Sequence, residues 1–277
     1  MKHVVYISLL LVACTSTNYT KAFSIKETFS QAWNFITFKK QTSETKKFNK
    51  KVPPRTKVSI HNIHGPIKVD TWDRNEILIE AEKSGVDKRC DNTFIEEKLT
   101  DASYTIATKV VSEVEKSCTV SYTALIPKNA IIYSVTTDNG DITVSNSTQT
   151  VSAVAKTGNI TVAHSSGDVK IHTEYGNIKI DQISSNAKDS LVVSADCGNI
   201  DIIVPKTFNS AHIYATARRG KINSSIPITT TITTEFNRKA MAKLSKNISG
   251  TIGKGGTKDG AQIKLQTDRG NINITTA

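Results

Sequence analysis

Beyond residue 52 the chain is written in short runs in which branched apolar residues alternate with polar ones, as in Lys57-Val58-Ser59-Ile60. A period of two is that of a strand with one buried and one solvated face. The runs are organised by a recurring unit, Gly-x-[Ile/Val]-x-[Ile/Val], at Gly65, Gly140, Gly158, Gly167, Gly176, Gly198 and Gly270, reduced at Gly220 to Gly-Lys-Ile-Asn. From Gly140 to Gly220 the separations are 18, 9, 9, 22 and 22 residues, and Gly250 and Gly270 follow after 30 and 20. A coil of 18–22 residues with half-coils of 9 accounts for them, with an insertion over 227–244. Such self-similarity predicts an all-β solenoid (β-helix), in which no unit buries its apolar face alone and each must stack on its neighbours.

Within a unit the second and fourth residues after Gly point inward and the third outward. Gly followed by Asn or Asp supplies the positive-φ corner of each turn, so the nine glycines, Gly250 included, are read as structural corners. Asn159, Asn177, Asn199 and Asn271 occupy equivalent corners and would stack as a ladder. The outward positions Thr143, Thr161, Lys170, Lys179 and Asp201 form the candidate binding face.

Upstream the pattern changes. Ser24-Ile25-Lys26-Glu27 has the form of a capping box, and Ile25, Phe29, Ala32, Trp33 and Ile36 recur at helical spacing, predicting a short amphipathic helix over 25–38. Lys39, Lys40, Lys46, Lys47, Lys50 and Lys51 then read as a solvated basic linker. At the start, Lys2 and His3 precede an apolar run, Val4 to Ala13, too short to span a bilayer core of about 30 Å and suited to a secretory signal. Leu11-Val12-Ala13-Cys14 resembles the lipobox of bacterial lipoproteins, which implies lipidation of Cys14 and anchoring through an acyl chain. An ordinary cleaved signal is the alternative. The chain thus divides into a signal segment, 1–13, an anchored N-terminal part, 14–51, and a repeat domain, 52–277.

Export into an oxidising compartment governs the remaining cysteines. Cys90 and Cys118 enclose a mid-chain loop, either as a disulfide or as two buried thiols, and Cys197 reads as a small core residue. With 38% hydrophobic and 22% charged residues and only 6 Pro, the 277-residue chain is neither wholly disordered nor collagen-like. The net charge of +11 is carried largely on outward positions, which suits an anionic surface glycan, lipopolysaccharide phosphate or acidic phospholipid. Nucleic acid is disfavoured by export and by the 6% aromatic content.

Three stretches resemble the bacterial β-strand-repeat proteins of unknown function grouped as putative adhesins. They are Val58 to Asp73, which closes on Trp72-Asp73; Tyr122 to Asn129 leading to Thr137-Asp138-Asn139-Gly140-Asp141-Ile142; and Ile248 to Gly253 with Ile263 to Ile272. The likeness covers about 52–277 and implies a single-chain, right-handed β-solenoid outside the cytoplasmic membrane, with no catalytic residues to carry over. The chain departs from that pattern in the loop Lys254 to Gly260 and in its N-terminal helix and tether.

Chemistry-bearing constellations are sparse. The nine-residue spacing lacks the Gly-Gly-x-Gly-x-Asp of calcium-binding nonapeptides. His61 and His64 fall on opposite faces of a strand, and His164 and His172 sit at different offsets, so no metal site is expected. Arg218, Arg219, Lys221, Glu174 and Asp196 carry the charges a glycan-cleaving β-helix would need, but spacing alone does not bring them together. The reading is an exported, non-enzymatic binding or scaffolding module of the cell envelope without cofactor. The alternatives are a polysaccharide-cleaving β-helix and a purely structural periplasmic lipoprotein.

Overall fold

The computed structural model describes residues 41–86, 90–111, 118–181, 189–205, 210–232, 246–253 and 261–277, which belong to one compact unit spanning Lys40–Ala277. The expected signal segment, Cys14 and the helix over 25–38 lie outside the described residues. All helices and strands among the described residues are strands. The N-terminal part supplies β1 (Gln41–Lys51), β2 (Lys57–His64), β3 (Ile67–Trp72), β4 (Glu76–Val86), β5 (Thr93–Leu99), β6 (Ser103–Val110) and β7 (Thr119–Pro127). Four regular two-strand coils follow: β8 (Ile131–Asn139) with β9 (Ile142–Ser145), β10 (Val151–Thr157) with β11 (Ile160–Ala163), β12 (Val169–Tyr175) with β13 (Ile178–Asp181), and β14 (Ser190–Cys197) with β15 (Ile200–Val204). Last come β16 (Ser210–Arg219), β17 (Ile222–Ser224), β18 (Thr229–Ile232), β19 (Lys246–Gly253), β20 (Ala261–Arg269) and β21 (Ile272–Thr276).

The first strand of each coil enters an 11-stranded sheet and the second a 10-stranded sheet, here the first and second sheets. Successive coils pair in parallel and in register, so that Ile142, Ile160, Ile178 and Ile200 form one inward row and Val144, Val162, Ile180 and Ile202 the next. All eight are 0–1% exposed, and each such burial contributes about 1.5–3 kcal/mol. The inner face of the first sheet is leaner, with Ala153, Ala155, Ala195, Ala211 and Ala215 among its buried residues, and both faces share one apolar cluster.

Two kinds of corner alternate. Gly140, Gly158, Gly176 and Gly198 stack in a column where the chain passes from the first sheet to the second. A Cβ at Gly176 would overlap the carbonyl oxygen of Gly158, so no larger residue fits without moving the backbone. Gly167 belongs to the return corner, where its φ of 86° selects glycine, and it lies over Gln149 of the preceding coil. This alternation accounts for the nine-residue half-coil.

Stacking does not follow chain order at the ends. The coil β2–β3 lies between β8–β9 on one side and β6 and β7 on the other, and β4 and then β1 extend the second sheet outward. The coil β20–β21 inserts between β14–β15 and β16–β17. Gly65 and Gly270 thus join the column next to Gly140 and Gly198, and Gly220 lies outermost on Gly270. The earliest and latest repeats are therefore interior, and the segments between them and the regular coils form the caps. An uncapped coil would present an apolar cross-section and two unpaired strand edges.

Two sequence expectations are corrected. Gly250 is no corner: it lies inside β19, antiparallel to β16 opposite Ile213 and to β18 opposite Thr230. Its unit is read by a strand running against the solenoid direction, and a Cβ there would collide with the Thr229 carbonyl. The segment 41–51, expected as a basic linker, is β1, paired along its whole length with β4. Phe48 packs on the core from the face it shares with Lys46 and Lys50, Lys50 reaches Glu97 at 3.5 Å, and Lys47 on the opposite face pairs with Glu80. The Trp72-Asp73 pair fixes the turn from β3 to β4. The Trp72 Nε1–H donates to the Glu76 carbonyl at 2.7 Å, and Asp73 accepts from Lys128.

Candidate functional site

Register places Lys68, Thr143, Thr161, Lys179, Asp201, Asn273 and Asn223 in one outward row across seven neighbouring strands of the second sheet. At about 4.8 Å between strands the row is about 29 Å long. One end is cross-linked: the Asn273 amide donates to Asp201 at 2.6 Å and the Asn223 amide to Asn273 at 2.8 Å. Four of the five candidate face residues, Thr143, Thr161, Lys179 and Asp201, thus share a row. Lys170 lies on the first sheet between Ser152 and Val192, because the unit after Gly167 follows the return corner.

Beside the glycine column runs a ladder of side-chain acceptors. The Oδ1 of Asp141, Asn159, Asn177, Asn199 and Asn271 each accepts the backbone N–H of the corner residue in the next coil, ending at Lys221, with N···O distances of 2.7–2.9 Å. The corner of the β2–β3 coil carries Pro66, which has no N–H to donate, and Lys221 at the other end has no acceptor to extend the series. Asp141 as the first rung was readable from its offset after Gly140.

The outer face of the first sheet holds the charges that spacing alone did not unite. Glu174, Asp196 and Asp268 follow one another on β12, β14 and β20, and Arg218 on β16 holds both carboxylate oxygens of Asp268 at 2.9 and 3.2 Å. These groups lie on an open strand face with no metal-holding group of His, Cys, Asp and Glu among the described residues. His172 bonds Ser194 and His61 bonds Thr136, each through Nδ1, whereas His164 occupies a left-handed position at the far end of β11. His61 is held below its ordinary pKa by burial and then by the nearby Lys109.

The buried polar groups of the N-terminal cap serve the fold. The Asn62 amide donates to the Gly65 and Val120 carbonyls, and its Oδ1 accepts from Thr108, which also bonds the Tyr122 hydroxyl. Burial pushes the Tyr122 phenol up to about 12 against a smaller opposing effect of Thr108, and burial followed by Glu97 raises that of Tyr104. Cys90 and Cys118 form a disulfide, and Cys197 is a free, half-buried thiol at the end of β14. No helix among the described residues is long and apolar enough to cross a membrane.

The family model Toastrack DUF4097 matches residues 105–275. No curated protein matches the sequence. Among solved structures the chain is similar to a "putative cell adhesion protein" from Clostridium sporogenes, at 13% identity and a TM-score of 0.46, covering 84% of this chain and 100% of that one. A "putative adhesin" from Bacteroides fragilis follows at 12% identity and a TM-score of 0.40, covering 83% and 97%. A "putative lipid binding protein" from Parabacteroides distasonis is similar at 9% identity and a TM-score of 0.32, covering 84% and 96%.

Proposed function

The chain belongs to the Toastrack family DUF4097, and from that premise we propose that it is an exported, lipid-anchored binding or scaffolding module of the cell envelope, without chemistry of its own. The observation that carries the reading is the straight outward row from Lys68 to Asn223. A polar, evenly spaced strand face about 29 Å long fits an extended polymer or an envelope surface better than a small molecule, which calls for a concave site. Anionic surface glycan, lipopolysaccharide and acidic phospholipid are the partners that suit a net charge of +11. The apolar run before Cys14 supports export and anchoring through lipid in an outer-membrane or periplasm-facing position. We take the coil as right-handed, the hand of about 98% of crossovers between parallel strands of one sheet.

Protease treatment of intact cells, beside a Cys14→Ala variant and a lysed control, tests this reading. Membrane-bound wild type and released C14A are expected; recovery of both in the cytosolic fraction overturns it. Digestion in intact cells places the binding face outside, and protection until lysis places it in the periplasm.

A further inference from the structure

The insertion of β20–β21 beneath β16–β17 brings together two arginines that lie 50 residues apart in sequence. Arg219 ends β16, Arg269 ends β20, and register sets them directly opposite each other on neighbouring parallel strands. Both are exposed. Like charges side by side on adjacent strands oppose folding unless something relieves them. The carboxylate beside them, Asp268, is held by Arg218, and among the described residues neither Arg219 nor Arg269 has an ion-pair partner. Lys221, one residue past the Gly220 corner, adds a third exposed cation, and its backbone is fixed by the Asn271 rung of the ladder.

The same register row continues through Cys197 to Tyr175, whose side chain is 54% exposed. Tyr175 stands two strand spacings from Arg269 and three from Arg219, about 10 and 14 Å. The row therefore presents an exposed aromatic ring at one end and a pair of guanidinium forks at the other, separated by the length of a short oligosaccharide.

We infer that this edge of the solenoid is a binding site for an acidic saccharide, with the carboxylate, sulfate or phosphate group held between Arg219 and Arg269 and a neighbouring sugar ring laid on Tyr175. Guanidinium forks match the paired oxygens of such groups, which a lysine pair matches less well. An aromatic ring offers an apolar face to the C–H side of a pyranose while its hydroxyl stays in water. The site is distinct from the row on the second sheet and does not depend on where the protein resides.

The test is calorimetric titration of the full chain in a zwitterionic detergent at physiological salt, with a heparin-derived hexasaccharide as probe. Chitohexaose, inorganic sulfate and phosphatidylglycerol vesicles separate the contributions of ring, anion and membrane. The hexasaccharide is expected to bind, and the double variant R219A/R269A to weaken it about tenfold or more, the loss of charge-assisted bonds. The charge-matched double variant K98A/K264A should leave affinity within about twofold, both lysines being exposed on the first sheet away from the pair. Y175A should weaken the hexasaccharide and leave sulfate unaffected. Equal losses in the two double variants, no binding of the hexasaccharide, or vesicle binding through the arginines without saccharide binding would each overturn the inference. All the substituted side chains are exposed, and matched melting temperatures confirm that the variants fold. A cytosolic location in the cell assay sinks the envelope reading alone, and a negative titration sinks this site alone.

Discussion

The backbone N–H of Asn177 donates to the Oδ1 of Asn159, 2.9 Å away and 18 residues earlier in the chain. Every rung of this ladder points the same way, so each corner side chain satisfies the coil that follows it and leaves its own coil untouched. Asn159→Ala should therefore leave the N–H of Asn177 to water at an exposed corner. The expected cost is about 0.5–1 kcal/mol, read as a lower urea midpoint at constant slope. Asn159→Asp should retain the acceptor, as Asp141 does in the rung before it, while placing two carboxylates on adjacent coils. Its deficit should shrink when the carboxylates are protonated at low pH. An N159A midpoint equal to wild type would show that water replaces the rung without loss.

The glycine column admits a sharper contrast. A side chain at Gly176 collides with the backbone carbonyl of Gly158, whereas Lys179 on the same coil points its exposed side chain into solvent. Gly176→Val is expected to cost at least about 3 kcal/mol through backbone strain, and Lys179→Val to lie within about 0.5 kcal/mol of wild type. Comparable melting temperatures for the two variants would contradict the register described above.

Removal of residues 261–277 should do more than fray an end. Because β20 stands between β14 and β16, its loss strips β16 of its parallel neighbour and uncovers Val193 and Leu191 on one side and Ile213 on the other. Hydrogen exchange on the truncated chain should show β16 and β17 unprotected, while β8 to β13 keep their protection. Retained protection at Ile213 would mean that the two coils had closed directly upon each other.

The repeat coils were legible because each position answers to one local rule. Ile160 is buried and Thr161 is not because a strand alternates, and Gly158 is a corner because the column leaves no room for a Cβ. What the sequence hid depends on long-range order. Gly250 carries the right motif in a strand that runs the wrong way, a direction that no local spacing encodes. Lys170 follows the same Gly-x-[Ile/Val] pattern as Thr161 yet enters the other sheet, since the two corners share a consensus. β1 was obscured by its lysines, whose charges are met by Glu80 and Glu97 from other strands. Arg219 and Arg269 meet only because the last coil inserts out of order.

The disulfide closes a loop of 28 residues between Cys90 and Cys118, next to the edge strand β5. The loop-entropy relation gives about 3–4 kcal/mol for a crosslink of that span. Reduction, or the C90A/C118A pair, should lower the urea midpoint accordingly and loosen β5 and β6 first, since these strands cap the first sheet on that side. Amide exchange that rises uniformly over all coils on reduction would instead make the solenoid a single cooperative unit from cap to cap.

His61 gives the fold a pH dependence of definite sign. On β2 it stands between Ala107 of β6 and Thr136 of β8, with Lys109 two residues beyond Ala107. Burial first, and Lys109 second, lower its pKa below the 6.5 of the unfolded chain, so the folded state prefers the neutral ring. Above pH 6.5 both states carry neutral imidazole and the group contributes nothing that varies. As pH falls below 6.5 the unfolded chain takes up the proton first, and stability declines until the folded-state pKa is passed. Glu44, held below the ordinary carboxylate value of 4.5 first by the hydrogen bond and charge of Lys83, adds a loss of the same sign only at lower pH. Urea midpoints measured from pH 7.5 to 3.5 should therefore fall with acidification, and His61→Gln should flatten the curve between 6.5 and 5 while leaving the decline below 4.5. A wild-type midpoint that rises on acidification through 6.5 would mean that the ring is charged in the fold, with Thr136 accepting from it.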